Sequence, residues 1–256
     1  MANAAKKSGV TQTIIEANVA EDGTVTLKGT IQKDAVNPIV LVNFDNNWGA
    51  STQDQSNYAY AVVKALQDTY EITEMNMVGH SYGNIAIVYY MLQHGSDTSL
   101  PKLVKQVDIA GHFNGIIGMD EPTSMTGSYE ELLSLGDNYP QGQVEVLNIY
   151  GNTGKESDER VTNLSSQSLA YLLKGYVKSY QEKKITGLNG QHSKLHETTL
   201  VDKPLNAFLW GKWVDKNIKK SSRGCLLDFF NTMIGLAEKR SKRTNPISSD
   251  ISCKEC

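Results

Sequence analysis

Cysteine, long apolar runs and a strong charge of either sign are scarce in this 256-residue chain. The three cysteines are Cys225, Cys253 and Cys256, so most of the chain cannot depend on disulfides for its stability. No uncharged apolar run approaches the ~20 residues that a membrane-spanning helix needs. The formal net charge of −3 gives no general attraction to nucleic acid or to an anionic membrane. The 39% of hydrophobic residues is ordinary for a globular protein and can form one substantial core.

The distribution of charge and of Gly and Pro predicts one domain followed by an extension. We place the domain at residues 1–213, with a lid or insertion at about 118–143, where a polar stretch is punctuated by Gly and Pro. The extension, 214–256, is basic: from Lys212 to Arg243 there are nine Lys/Arg and three Asp/Glu. Residues 225–237 have the spacing of an amphipathic helix, which would pack on the body or, alternatively, dock on a membrane surface or a partner.

The chain shows no pattern for a metal site, a cofactor or a leader sequence. The pair Cys253 and Cys256 has the spacing of a zinc knuckle, but two further ligands are missing, so we predict no metal and no cofactor. Residues 1–9 are polar and do not form a signal peptide, which favours a cytoplasmic location for the chain as given. The sequence does not indicate an oligomeric state.

Strand-like and helix-like segments alternate along the chain, which predicts an α/β fold with a mostly parallel sheet and flanking helices. Two alternating segments, Thr11–Val19 and Thr24–Ile31, predict a hairpin around a Glu-Asp-Gly turn. The other predicted strands are apolar runs typical of strands buried on both faces. They are Pro38–Phe44, Met75–Val78, Leu103–Ala110 and Val144–Tyr150.

The segment Val78-Gly-His-Ser-Tyr-Gly-Asn84 is the most informative motif. Its G-x-S-x-G pattern lies between a predicted strand and a predicted helix, which is the context of the nucleophile elbow of an α/β-hydrolase. In such a turn the serine hydroxyl projects from the carboxyl edge of the sheet. Ser81 is therefore the candidate nucleophile, and the Tyr82 N–H is a candidate donor to an oxyanion.

A serine nucleophile needs a histidine base and an acid, which follow the serine in chain order in this fold. Among five histidines, His192 lies late enough and next to a Gly-containing loop, so we favour it as the base; His196 is the alternative. The acid is expected after the strand Val144–Tyr150, which selects Asp158, with Glu159 as its solvated neighbour. Four further residues are expected to shape a substrate pocket together with the lid: His80, His112, Phe113 and Asn114.

These motifs together resemble the uncharacterised "cell-surface hydrolase" family of the α/β-hydrolase superfamily from Gram-positive bacteria. The similarity covers about residues 5–211. The resemblance implies Ser81, Asp158 and His192 as the triad and suggests a secreted or cell-surface location. The matching stretches are residues 37–44, 78–84, 107–118, 147–151, 157–161 and 191–197.

The chain departs from the family pattern at its start. The family has an apolar strand that ends in an H-G-x-G-G loop, which supplies the second oxyanion donor, whereas this chain has no His-Gly pair in its first 78 residues. We therefore expect an amino-terminal truncation and a sheet without that strand and loop. The strands from Pro38 and Met75 would then pair directly.

The predicted function is hydrolysis of a carboxylic ester or a related small-molecule acyl compound through an acyl-enzyme on Ser81. An alternative is an impaired fragment or pseudoenzyme that serves as a binding module, because the loss of one oxyanion donor costs about 100- to 1,000-fold in rate. A further alternative is a peptidase or acyltransferase, because the triad does not determine the substrate.

Overall fold

A computed structural model describes residues 1–47, 49–118, 125–211 and 224–229 of the chain. Its centre is one eight-stranded sheet with the strand order β2-β1-β3-β8-β4-β5-β6-β7. The strands are Ile14–Val19 (β1), Val25–Lys28 (β2), Ile39–Phe44 (β3), Glu74–His80 (β4), Lys102–Ile109 (β5), Glu145–Asn152 (β6), Ser179–Thr186 (β7) and Gly224–Phe229 (β8). The helices are Ala2–Lys7 (α1), Thr52–Tyr70 (α2), Gly83–His94 (α3), Gly127–Glu131 (α4), Asn163–Gln167 (α5), Leu169–Leu173 (α6) and Thr199–Trp210 (α7).

The predicted α/β fold with a mostly parallel sheet is confirmed. Only the pair β1–β2 is antiparallel among the described strands, and it forms the expected hairpin. Strand β3 is buried along most of its length, as its apolar run Ile-Val-Leu-Val predicts. Two core clusters lie on opposite faces of the sheet; the larger one includes the buried faces of α2 and α3, and the smaller one includes α7.

Some elements were not predicted from the sequence. Among the described strands, β7 lies at the end of the sheet and pairs only with β6. Most of its residues are exposed, so it has few of the apolar side chains that mark a strand. Between β6 and β7 lie two short consecutive helices, α5 and α6. Within the predicted lid, the short α4 is followed by two 3-10 turns, Leu132–Ser134 and Gly136–Asn138.

Strand β8 corrects the prediction for the carboxyl-terminal extension. The amphipathic helix predicted at 225–237 is wrong for Cys225–Phe229, which form a strand; residues 230–237 lie outside the described residues. The strands β3 and β4 do not pair directly, because β8 lies between them and pairs in parallel with both. The physical reason is that a short apolar run fits a buried strand as well as a helix, and two strand edges here supply backbone partners.

A buried polar cluster joins β5 to Tyr139, a residue of the segment before β6. Asp108 is fully buried and accepts two hydrogen bonds from the Gln106 side-chain amide, at 3.0 and 2.9 Å. The Gln106 carbonyl oxygen accepts a hydrogen bond from the Tyr139 hydroxyl at 2.6 Å. Burial raises the pKa of Asp108 to about 7, while the hydrogen bond from Gln106 opposes that shift.

This pKa predicts a loss of stability as the pH rises. Between about pH 4 and pH 7 the carboxyl group ionises in the unfolded chain while Asp108 in the folded chain keeps its proton. The free energy of unfolding should therefore fall across that window by at most about 4 kcal/mol on account of this one group. Asp108→Asn should remove this fall, as measured by urea unfolding at several pH values, with the exposed Asp45→Asn as the control for loss of a carboxylate. Parallel pH profiles for Asp108→Asn and the parent protein would contradict the assignment.

Candidate active site

Ser81 occupies a sharp turn between β4 and α3. Its φ of +52° is in the left-handed region that a non-glycine residue rarely adopts. Gly79 comes so close to the start of α3 that a Cβ there would lie 2.8 Å from the Asn84 backbone nitrogen. The motif therefore needs glycine two residues before the serine, as the nucleophile elbow predicts.

Asn84 fixes this turn to the neighbouring strand. Its side-chain amide donates to the Ser81 carbonyl oxygen and to the Ile109 carbonyl oxygen, each at 2.9 Å. The Ser81 N–H also donates to the Ile109 carbonyl oxygen, at 2.8 Å. Asn84 is fully buried, so these bonds are shielded from water. Asn84 lies within the motif Val78–Asn84, but its role depends on Ile109, which is distant in sequence.

Ser81, His192 and Asp158 form one hydrogen-bonded chain. The His192 Nε2 atom lies 2.8 Å from the Ser81 Oγ atom, and the His192 Nδ1 atom lies 2.8 Å from the Asp158 Oδ2 atom. A carboxylate can only accept, so Nδ1 carries the proton and Nε2 is left to accept the proton of the serine hydroxyl. The three side chains are nearly closed off from solvent, with Ser81 4% and His192 6% exposed.

The loop around Asp158 holds its carboxylate in one orientation. The Oδ1 atom accepts from the backbone N–H groups of Arg160, at 2.9 Å, and of Val161, at 2.7 Å. The Asp158 carbonyl oxygen accepts from the His192 N–H at 2.9 Å, so the backbone of the acid's loop also positions the histidine. Glu159 is exposed and has a φ of +80°.

His80 packs against His192 and bonds to its backbone. The His80 Nε2–H donates to the His192 carbonyl oxygen at 3.0 Å, and the two rings lie 5.1 Å apart. Burial, followed by repulsion from His192, lowers the pKa of His80 well below its ordinary value. His196, the alternative base, packs edge-on against His80 at 4.9 Å. His192 is thus the one of the two late histidines that is hydrogen-bonded to Ser81.

The loop after β5 places the other predicted pocket residues in different surroundings. The His112 ring stacks on the Tyr82 ring at 5.6 Å, and burial lowers the pKa of His112 to about 4. Asn114 accepts a hydrogen bond from the Thr126 N–H at 3.0 Å and so ties this loop to the start of α4. Phe113 is fully buried in the larger core cluster against Gly111, and its place beside a substrate pocket stays a prediction.

Glycines also bring the base and the acid together. Gly151 lies at the end of β6, close to a 3-10 turn at Gly187–Gly190 that leads into His192. A Cβ on Gly151 would lie 1.9 Å from the Gly190 carbonyl oxygen and 2.9 Å from the Asp158 Cβ atom. The turn therefore positions His192 by close packing.

The described residues contain no group of three or more His, Cys, Asp or Glu side chains placed to hold a metal ion. Cys253 and Cys256 lie outside the described residues. Within the described ranges, no helix combines the length and the apolar composition needed to cross a bilayer.

The sheet and the elbow between β4 and α3 define the fold as that of an α/β-hydrolase. The chain belongs to the family of alpha/beta hydrolases of unknown function, DUF915, whose model matches residues 1–212. A comparison with curated proteins gives no match.

Two solved structures are similar to this chain. One is the product of the gene lin2722 from Listeria innocua, with a TM-score of 0.74 and 25% identity over 89% of this chain and 93% of that one. The other is described as a "putative cell surface hydrolase" from Lactobacillus plantarum WCFS1, with a TM-score of 0.71 and 23% identity over 84% of this chain and 86% of that one.

Proposed function

We propose that the protein is a serine hydrolase that acts on a carboxylic ester or a related acyl compound. The observation that carries the proposal is the continuous hydrogen-bonded chain from Ser81 through His192 to Asp158, with distances of 2.8 Å at both junctions. Three side chains from distant parts of the sequence meet here in the order and geometry that nucleophilic acyl transfer needs. The family supports the class of hydrolase, and the assignment of the triad rests on this geometry.

In the first half of the reaction, the Ser81 Oγ atom attacks the carbonyl carbon of the ester while His192 Nε2 takes the hydroxyl proton. The Asp158 carboxylate stabilises the resulting imidazolium and keeps its Nδ1–H in place. The Tyr82 N–H, one residue after the nucleophile, donates to the developing oxyanion. The tetrahedral intermediate then collapses, and the leaving alkoxide takes the proton from His192.

In the second half, water replaces the alcohol. His192 removes a proton from the water as it attacks the acyl-enzyme, and the second tetrahedral intermediate releases the carboxylic acid while Ser81 regains its proton. His80 takes no part in proton transfer in this scheme: it holds the backbone of His192 in place and stays neutral, since burial lowers its pKa. A secreted or cell-surface location stays a prediction from the family resemblance.

Labelling with a fluorophosphonate probe tests the proposal, because the probe reacts with a serine only when a base activates it. The folded protein should be labelled, and Ser81→Ala should abolish the labelling. Ser193→Ala is the matched control: Ser193 is exposed and adjacent to His192, and it is the Ser193 backbone N–H that donates to the Gln191 side-chain oxygen.

Absence of labelling in protein that unfolds cooperatively would contradict the proposal. Labelling of Ser81→Ala equal to that of the parent protein would also contradict it. Protein that the probe labels is then assayed on three kinds of substrate: short-chain esters, peptides, and esters with added alcohol. Turnover of the first indicates an esterase, of the second a peptidase, and transfer to the alcohol an acyltransferase.

A further inference from the structure

The centre of the sheet is occupied by the last described segment of the chain. Strand β8 pairs with β3 from Leu226 to Asp228 and with β4 from Gly224 to Phe229. Both edges of β8 are therefore engaged. Its four central residues are buried: Cys225 1%, Leu226 6%, Leu227 0% and Asp228 4% exposed.

The segment that fills this position lies outside the family domain. The family model matches residues 1–212, whereas β8 begins at Gly224. Residues 212–223 connect it to α7, and that length of chain can span about 40 Å when extended. The connection is thus long enough for β8 to leave and re-enter the sheet without moving α7.

The two parts of the sheet on either side of β8 are also joined by other contacts. On one face, α2 bridges the two parts. The Ser56 hydroxyl of α2 donates to the Tyr89 carbonyl oxygen of α3 at 3.1 Å. The Tyr58 hydroxyl of α2 donates to the Glu21 carbonyl oxygen, in the turn between β1 and β2, at 2.8 Å. On the other face, α1 contacts α7, and Lys105 of β5 donates to the Phe208 carbonyl oxygen of α7 at 2.6 Å. Departure of β8 would therefore leave the flanking strands connected.

We infer that the space between β3 and β4 is a strand-binding slot, which the chain's own residues 224–229 occupy reversibly as a parallel strand. The slot selects its occupant by shape: Cys225 and Leu227 face the larger core cluster, and Leu226 faces the smaller one. The backbone groups of β3 and β4 supply the hydrogen bonds, as in other cases of strand addition to a sheet.

Occupancy of this slot bears on the candidate active site. Asp228 pairs with Val78, and Phe229 pairs with Gly79, two residues before Ser81. An empty slot would leave the strand that carries the elbow with an unpaired edge, so its backbone groups would need other partners. The inference concerns binding of a strand and does not depend on the proposed reaction.

The test uses the full chain with Cys253→Ser and Cys256→Ser, so that Cys225 is its one thiol. Cys225 is 1% exposed, and burial also raises the pKa of its thiol to about 12, so iodoacetamide should reach the thiol only when β8 leaves the sheet. The matched reference carries Cys225→Ser and Val146→Cys, which places the thiol in β6 at a position that is also 0% exposed but away from the slot.

If β8 leaves reversibly, Cys225 should react at least about 100-fold more slowly than in the urea-unfolded chain, yet at least about 10-fold faster than the reference thiol in β6. Equal rates for the two buried thiols would show that β8 leaves only on global unfolding and would overturn the inference. A rate equal to that of the unfolded chain would also overturn it, since β8 would then not occupy the slot.

A second measurement asks whether the slot binds the same segment from another molecule. Alkylated Cys225 no longer fits its buried position, so the alkylated chain should bind a fluorescent peptide of residues 219–232 that carries Cys225→Ser, with one peptide per chain by anisotropy. The same peptide with Leu227→Asp should not bind, because Leu227 is fully buried. Equal binding of the two peptides, or binding of neither, would contradict the inference.

Discussion

Replacing Asp158 with asparagine is expected to lower kcat for a short-chain ester by about 10,000-fold while leaving the fold intact. The reason lies in the two backbone N–H groups that bond to the Asp158 Oδ1 atom, those of Arg160 and Val161. In Asp158→Asn these donors would retain the amide oxygen at the Oδ1 position. The amide NH₂ group would then face His192.

An NH₂ group at that position donates to the Nδ1 atom of His192, where the carboxylate accepts from it. His192 would then carry its proton on Nε2, the atom that lies 2.8 Å from the Ser81 hydroxyl. In this tautomer the imidazole cannot take the serine proton, which explains the size of the expected loss.

Steady-state hydrolysis of a p-nitrophenyl ester measures this effect. Glu159→Gln is the matched control, because it makes the same change of a carboxylate to an amide at an exposed neighbouring position and should retain the parent kcat within about twofold. If Asp158→Asn kept more than about a tenth of the parent kcat, Asp158 would not be the residue that sets the tautomer of His192.

Gly151→Ala is expected to destabilise the protein by about 4 kcal/mol or more, which is a large part of the stability of an ordinary domain. A Cβ at this position would lie 1.9 Å from the Gly190 carbonyl oxygen. The backbone fixes the positions of both the added Cβ and the Gly190 carbonyl oxygen, so no rotamer change relieves the overlap. The turn before His192 must therefore move. The substitution should therefore also separate His192 from Asp158.

Urea unfolding of Gly151→Ala measures the loss of stability. Gly175→Ala serves as the control, because a Cβ there has no neighbour within 4 Å and the backbone does not have a positive φ. Gly175→Ala should unfold near the parent midpoint. Similar midpoints for the two variants would mean that β6 and the Gly187–Gly190 turn can separate without cost, against the packing described above.

The elbow could be predicted from sequence because its requirements are local. A strand, a strained serine and a flanking glycine lie within a few residues, and each leaves a mark on the pattern. Chain order then selected Asp158 and His192, which the structure brings together with Ser81. Asn84 was overlooked because its role depends on a carbonyl oxygen of β5, which is distant in sequence.

The centre of the sheet could not be predicted, because it depends on which segment the open strand edges recruit. The run Cys225–Leu227 is apolar and short, and its periodicity alone does not distinguish a buried strand from one face of a helix. Strand β7 was missed for the opposite reason: its exposed residues are polar, and its pairing with β6 is long-range. In both cases the missing information is the tertiary pairing of backbone groups.

The most direct test of the account is to find where the acyl group resides during turnover. Protein mixed with p-nitrophenyl acetate and quenched in acid should yield one acetylated peptide, the one that contains Ser81, together with an initial burst of about one nitrophenolate per chain. The same treatment of Ser81→Ala should give neither. Ester turnover with the acetyl group on another residue, or with no acetylated peptide at any time, would contradict the assignment of Ser81 as the nucleophile.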